Sequence, residues 1–244
     1  MVEIKGEKNL VASCIRKPTD GMEIETNSSR SKKARSMVFE LLMADQPKNV
    51  SAHDPQSNLL KWASAINGNV SSRFPTTSKP DVDNTHQAIT VNLDSCINCN
   101  LCVQACREVQ VNDVIGMAYR GSKSKIIFDF DSELGESTCV SCGECVQVCP
   151  TGALMESNLL NKSNVREHYP DRTVDTLCPY CGVGCQTNVK VKDNKIISID
   201  GRDGPSNESR LCVKGRFGFD YISHPDRLLT PLIRIDKNTK SFDL

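Results

Sequence analysis

What this chain has little of narrows its possible functions before any motif is read. Aromatic residues are 5% of its 244 positions, with one tryptophan, and there are four histidines. No stretch approaches the roughly 18 consecutive apolar residues that a membrane span needs, so no span is expected. Net charge is zero, from 30 basic and 30 acidic side chains. Nucleic-acid affinity comes largely from clustered lysine and arginine facing phosphates, so nucleic acid is not an expected partner. The start, Met1-Val2-Glu3-Ile4-Lys5, lacks a cationic leader followed by an apolar run. No signal peptide is therefore expected, and reduced thiols in a cytoplasmic protein are the default. The length allows one large or two modest domains.

Against these absences stands one excess. There are 13 cysteines, and all but Cys14 lie between positions 96 and 212. They fall in tight groups separated by two or three residues, a distribution that favours metal ligation over a disulfide framework of spread cysteines. Charge is also partitioned: net +2 over residues 1–88, −5 over 89–160 and +3 over 161–244.

The chain opens with a strand pattern at Val2 and Ile4. A helix is expected over 31–44, where Met37, Val38, Leu41 and Leu42 recur at helical spacing and mark the core face before Asp45-Gln46-Pro47 ends it. Residues 47–87, with His53 and Trp62, read as a surface connector without periodicity. Short strands are expected over 89–93 and 126–130, each followed by a cysteine group. Further on, Val189 and Val191, the turn pair Asp193-Asn194, and Ile197 and Ile199 read as a β-hairpin, closed by the glycine-containing loop 201–205.

The first two cysteine groups are an internal duplication. Cys96, Cys99, Cys102 and Cys106, and then Cys139, Cys142, Cys145 and Cys149 followed by Pro150, share the spacing C-x2-C-x2-C-x3-C at an offset of 43 residues. Three thiolates within seven residues can hold three corners of one four-iron cage, with the small Ser141 and Gly143 letting the backbone approach. In the bacterial two-cluster pattern the fourth cysteine ligates the other cluster. One cluster is thus expected on Cys96, Cys99, Cys102 and Cys149, and the other on Cys139, Cys142, Cys145 and Cys106. Pro150 turns the chain, and Thr151-Gly152-Ala153-Leu154 is expected to start a helix that covers a cluster. Zinc, which usually takes two C-x2-C pairs from separate knuckles, fits the doubled run poorly.

The third group is Cys178, Cys181 and Cys185 in CPYCGVGC, with Cys212 completing a quartet. Its different gap implies a cluster that shares no ligand with the others. Taken alone it fits zinc or iron, and its neighbours favour iron. Three quartets leave Cys14 alone, which by itself reads as a small buried hydrophobe.

At these residues the chain resembles a known family. CPYCGVGC (178–185), GRDGP (201–205), the run Arg210-Leu211-Cys212-Val213-Lys214-Gly215-Arg216-Phe217-Gly218-Phe219-Asp220-Tyr221, then His224-Pro225 and Arg227-Leu228 resemble the cluster-binding head of molybdenum or tungsten bis-pterin oxidoreductases, most closely the alpha subunits of NAD-dependent formate dehydrogenases. The resemblance covers nearly the whole chain. It implies an α+β architecture of five parts: a remnant of a plant-type 2Fe-2S ferredoxin domain (1–46), a connector (47–87), a bacterial two-cluster ferredoxin fold (88–160), a small β-rich 4Fe-4S domain (171–228) and the beginning of a catalytic domain (229–244).

Functionally it implies three 4Fe-4S clusters that carry electrons from formate oxidation at a molybdenum or tungsten bis-pterin guanine dinucleotide toward a flavin subunit that reduces NAD. The partners implied are that subunit and the rest of the catalytic domain. Lys214 would stand between the nearest cluster and a pterin; read alone it is a solvated lysine. Cys14 takes the place of the fourth 2Fe-2S ligand, with its three companions expected upstream of Met1, so that cluster is expected to be absent. The family's metal ligand and adjoining histidine and arginine are expected beyond Leu244, which implies that this stretch alone lacks the catalytic residues. His53 has no ligand-spaced cysteine and is expected to be structural or exposed; His86, His168 and His224 read as surface or packing residues. Two other classes remain alternatives: a self-standing polyferredoxin-like carrier, which would have no need of the GRDGP and RLCVKGRF stretches, and a zinc-stabilised interaction module. Another bis-pterin oxidoreductase or a complex I-type subunit is the nearer variant.

Overall fold

The computed structural model describes residues 1–47, 53–66, 74 and 80–238, and the backbone of 242–243. It divides into two compact units, Met1–Val140 with Glu144–His168, and Tyr169–Leu244 with Ser141–Gly143. Among the described residues no helix is long and apolar enough to cross a membrane.

In the first unit β1 (Glu3–Ile4) pairs antiparallel with β2 (Ile24–Glu25), and the alternating Val2 and Ile4 are buried. Helix α1 (Ser29–Ala44) begins where Ser28 Oγ accepts the Ser31 N–H at 3.2 Å, supplying a partner for an otherwise orphan amide. The helix lies where its periodicity predicts, but its buried face does not. Met37, Val38 and Leu41 are about half exposed, whereas Met43 is buried and Phe39 and Leu42 pack beside it. Positions 38, 41 and 42 and positions 39, 42 and 43 share one period, so periodicity alone does not choose between them.

The partner that makes the choice is α2 (Asn58–Ala65), inside the stretch expected to be a connector. Ser57 caps it by accepting the Leu60 N–H at 3.3 Å, and Leu59 and Ala63 join Met43 in one buried cluster. Its eight residues offer too few apolar positions for a period to register. Trp62 faces outward, and most of the remaining expected connector lies outside the described residues.

The cysteine-bearing part of this unit is built from two like halves. β3 (Ile89–Val91), α3 (Leu101–Gln104) and β4 (Ile115–Ala118) form one; β5 (Lys125–Phe128), α4 (Glu144–Gln147) and β6 (Leu154–Glu156) form the other. β3 pairs with β6 and β4 with β5, all antiparallel. The two helices sit 43 positions apart, the offset of the cysteine repeat. Two expectations are corrected here. Residues 151–154 do not start a helix: Gly152 lies at φ +70°, outside the right-handed region, and the chain enters β6, with the Asn92 N–H taking the Ala153 carbonyl at 2.8 Å. The strand expected to reach residue 130 stops at Phe128, because Asp129 adopts φ +46° and Phe130 turns out to solvent.

His53 is fully buried, and neither ring nitrogen has a hydrogen-bond partner. The neighbouring Asp54 pairs with Arg166 at 3.0 Å, and the Arg166 N–H donates to the His53 carbonyl at 2.9 Å. His86 Nδ1 accepts the amides of Ala88 and Ile89 at 3.1 Å and so fixes the entry to β3.

In the second unit β7 (Arg172–Leu177), β8 (Gln186–Lys192) and β9 (Lys195–Gly201) form an antiparallel sheet in that order. β8 and β9 are the expected hairpin; Asp193 and Asn194 both take positive φ, 48° and 60°, as its two-residue turn requires. β7 is exposed along its length and has no apolar alternation to reveal it. Helix α5 (Val213–Phe217) follows, and β10 (Ile233–Arg234) pairs with β11 (Phe242–Asp243). The buried Asn207 closes the loop between β9 and α5: Nδ2 donates to the carbonyls of Gln186, Arg202 and Arg210 at 3.1–3.2 Å, and Oδ1 accepts the Gln186 N–H at 2.9 Å.

Burial holds the His53 pKa down at about 4, against the nearby carbonyls of Gly152 and Ala153 and the Asp54 charge. The unfolded chain therefore takes up this proton first as pH falls. The stability contributed is full above about 6.5 and is lost between about 6.5 and 4, amounting to up to about 3 kcal/mol. Chemical unfolding across pH 7 to 4 should show a steeper acid loss in the native protein than in His53→Leu; equal slopes would refute the assignment.

Candidate metal centres

Backbone conformation explains how the repeated loops gather their thiols. In the first, Asn98 and Asn100 adopt φ +54° and +67°; in the second, Ser141 and Gly143, at the matching positions, adopt +56° and +71°. Left-handed residues between consecutive cysteines turn the chain back on itself within two positions, and asparagine and glycine accept that conformation most readily. Each loop then enters a one-turn helix, which carries Cys102 or Cys145. Cys106 follows on a π-helical turn, Ala105–Val109, that packs against α4.

The first predicted quartet lies together in the first unit. Cys102 is buried and its thiol is pushed up to about 12, first by burial and then by the charges of Cys149, Cys96 and Cys99. The Asn98 N–H donates to Cys96 Sγ at 3.4 Å, and Thr151 Oγ1 lies 3.6 Å from Cys149 Sγ. Beside Cys96 a groove of about 520 Å³ opens, lined in part by Leu41 and Leu42 of α1. Of the second quartet, Cys106 and Cys145 are buried and Cys139 is half-buried in the first unit, while the half-buried Cys142 belongs with the second unit. The Val114 N–H reaches Cys106 Sγ at 3.4 Å inside the protein. Such amide–sulfur bonds stabilise thiolate charge and are one of the levers on cluster potential.

The third quartet lies together in the second unit. The Cys185 thiol is raised, first by its surroundings' desolvation and then by Cys178, Cys181 and Cys212. Gly184, at φ +66°, turns the loop, and the Cys178 N–H bonds the Cys185 carbonyl at 2.8 Å. Lys214, exposed to solvent, shares with Cys178 the wall of a largely apolar cavity of about 160 Å³. Cys14 lies apart, on the surface, which corrects its reading as a buried hydrophobe.

The donor sets suit four-iron cages. Each is four thiols with no imidazole or carboxylate among them. Among the described residues no three His, Cys, Asp or Glu side chains are placed to hold a single ion. Sulfurs on one zinc stand about 3.8 Å apart, from a Zn–S length of about 2.3 Å, whereas a cage spreads its four thiolates wider. Two features near these cysteines were not legible in the sequence. The Val114 amide acts through its backbone and leaves no side-chain signal. Arg216, four positions after Cys212, is the largest fully buried side chain among the described residues, and nothing in its sequence context separates it from a surface arginine.

Two family models match this chain: the 4Fe-4S dicluster domain over residues 81–153 and the molybdopterin oxidoreductase Fe4S4 domain over 171–224. The chain thus carries an iron–sulfur electron-transfer module of molybdopterin oxidoreductase type. Among its relatives, an NADH-quinone oxidoreductase subunit of Rhizobium meliloti is 32% identical over 97% of this chain, and "Probable oxidoreductase YjgC" of Bacillus subtilis is 29% identical over 96%. "Putative formate dehydrogenase SH0748" of Staphylococcus haemolyticus is 32% identical over 59%. The chain spans 28% of the length of the first two and 18% of the third. A crystal structure of an NAD+-reducing NiFe-hydrogenase in the H2-reduced state superimposes with a TM-score of 0.56 at 23% identity, over 64% of this chain and 67% of that one, and shares its fold.

In cluster-free protein the buried, high-pKa Cys102 should be the last of its quartet to react with iodoacetamide at pH 8, lagging the exposed Cys99 by about tenfold or more. Peptide mass spectrometry over a time course measures this. Equal rates would mean that the four thiols are not held together as described.

Proposed function

We propose that this chain is the electron-transfer part of an NAD-dependent formate dehydrogenase alpha subunit, with a bacterial two-cluster ferredoxin fold followed by a β-rich 4Fe-4S domain. In this reading Cys96, Cys99, Cys102 and Cys149 hold one cluster, Cys139, Cys142, Cys145 and Cys106 a second, and Cys178, Cys181, Cys185 and Cys212 a third. When bound, the clusters supply one-electron steps between a molybdenum or tungsten bis-pterin guanine dinucleotide and a flavin subunit that reduces NAD. The protein's own part is to place the thiolates, donate backbone N–H groups to sulfur, and set local charge, as the amides of Asn98 and Val114 do toward Cys96 and Cys106. Lys214 offsets the negative charge of the third cluster and of a pterin pyrophosphate beside it.

The observation that carries this reading is the third quartet within the stretch matched by the molybdopterin oxidoreductase Fe4S4 domain, with Lys214 and Cys178 lining one cavity. A simple polyferredoxin-like carrier has no use for such a head. One second reading has its own support: the NADH-quinone oxidoreductase relative aligns over 97% of this chain, which favours a complex I-type role. Formate-dependent bleaching of cluster absorbance in the full-length protein separates the two, being expected for the first and absent for the second.

Anaerobically reconstituted chain should bind about 12 iron atoms and no zinc, as three four-iron clusters require. Cys106→Ala should remove the paramagnetic signal of the cluster on the second cysteine group, and Cys149→Ala that of the first. Loss of the opposite signals would overturn the exchange of fourth ligands, and zinc-loaded colourless protein would overturn the whole proposal.

A further inference from the structure

In the first unit the turn after β5 holds an aromatic ring out in water. Phe130 is 99% exposed and stands between Asp129 and Asp131, at φ +46° and +71°. Left-handed backbone is costly for residues that carry a side chain and persists only where the surroundings hold it. Here they do. Asp129 accepts the Thr138 N–H at 2.7 Å and the Thr138 hydroxyl at 3.0 Å, and the Ser132 N–H bonds the Phe128 carbonyl at 3.0 Å. Asp131 accepts the Tyr119 hydroxyl at 2.7 Å and pairs with Lys125 at 2.8 Å. A ring on so firmly tied a turn loses little freedom when a partner covers it, which is the character of an interface anchor.

Tyr119 connects this turn to the groove beside Cys96, whose wall it shares with Leu41, Ile97, Lys123 and Lys125; one carboxylate, Asp45, also lines it. Tyr119 and Leu41 are more than half exposed. The lysine-bearing turn is tied to the cysteine loop through Asn98, whose Nδ2 donates to the Ser124 carbonyl at 3.3 Å while its N–H donates to Cys96 Sγ at 3.4 Å. Charge is gathered here too. Residues 89–160 carry a net −5, yet three of their four basic side chains, Arg120, Lys123 and Lys125, lie between positions 120 and 125. The fourth, Arg107, pairs with Asp113 at 2.8 Å. Lys125 is engaged by Asp131, whereas Arg120 and Lys123 are exposed and form no ion pair among the described residues.

We propose that this face is the docking site of an acidic one-electron carrier protein: Phe130 and Tyr119 are the apolar anchors, Arg120 and Lys123 meet the carrier's carboxylates, and Cys96 brings its cluster to the contact. This rests on the ligand set proposed above for that cluster. One electron passes from the reduced cluster to the carrier's own redox centre, the first being oxidised and the second reduced, with no bond made or broken and no proton moved. A basic rim on an otherwise acidic ferredoxin part steers an acidic partner to this face and repels it elsewhere, while the apolar centre holds the complex together.

The test is stopped-flow electron transfer from the anaerobically reconstituted, dithionite-reduced full chain to two acidic carriers, plant-type 2Fe-2S ferredoxin and flavodoxin, with every variant at full iron content. The rate constant should fall steeply with added salt. Arg120→Glu combined with Lys123→Glu should lower it about tenfold or more at low salt and flatten the salt dependence. Lys61→Glu combined with Lys162→Glu makes the same change of net charge at exposed lysines outside the groove lining, and should act within about twofold. Phe130→Ser should weaken the saturable complex about tenfold and leave the salt dependence as it was. The proposal is overturned if neither carrier accepts electrons in a salt-dependent way, if the two charge-reversed pairs act alike, or if Phe130→Ser leaves the complex as tight as before. Self-association of the chain that Phe130→Ser abolishes would give this face to a second copy and would also overturn it. Cys149→Ala tests the underlying ligand set separately: it should still bind the carrier in calorimetry but pass electrons slowly, and transfer at the full rate there would defeat the ligand assignment irrespective of where the carrier docks.

Discussion

Thiolates repel one another, and this protein sets Cys102 among three other thiols and Cys185 among three more. In the first quartet Cys102 is driven to about 12 by burial and by the charges of three neighbouring cysteines. Four such groups do not ionise together around an empty centre, and a cage of iron cations is what removes the conflict, because metal binding displaces the thiol protons and replaces repulsion with coordination. Much else in these loops serves that one requirement. Left-handed residues at matching positions in the repeat bring the sulfurs round, one-turn helices carry Cys102 and Cys145, and backbone amides bond to sulfur at the exposed side of Cys96 and at the buried Cys106.

The duplication reaches beyond the cysteines. Because β3 pairs with β6 and β4 with β5, the first and last strands of the repeat are adjacent, as are its two middle strands. That arrangement returns Cys149, at the end of the second half, to the thiols of the first half. With the ligand sets proposed above, a fourth ligand drawn from the other half would make each site depend on both halves. His53, buried beside the turn at Gly152 and Ala153, seals this region with an imidazole that stays neutral through the physiological range.

The second unit meets a related constraint differently. Its quartet draws three cysteines from one loop after β7 and a fourth from the start of α5, and it brings cations with it. Lys214 and Arg216 are two residues apart on a single short helix, yet one lines a cavity with Cys178 while the other is wholly enclosed and bonded to carbonyls and Asp200. Two steps along a helix turn a side chain by roughly 200°, which is enough to send neighbouring cations to opposite sides.

Motif spacing alone was enough to identify the 43-residue repeat and the β8–β9 turn, because each depends on residues close in the chain and on a short menu of backbone conformations. The grouping of Cys96, Cys99 and Cys102, and of Cys178, Cys181 and Cys185, was legible for the same reason, since each trio lies on one short stretch of chain. What lay beyond reach were features fixed by distant partners. The buried face of α1 was chosen by α2, a helix too short to show a period; residues 151–154 became strand because β3 lay ready to pair and Gly152 blocked a helix; and Arg216 was indistinguishable from a surface arginine until Cys142, Ile199 and Asp200 closed around it. Burial and charge pairing are properties of the assembled interior, where groups far apart in sequence share a low-dielectric space, and tertiary packing alone decides which of them meet.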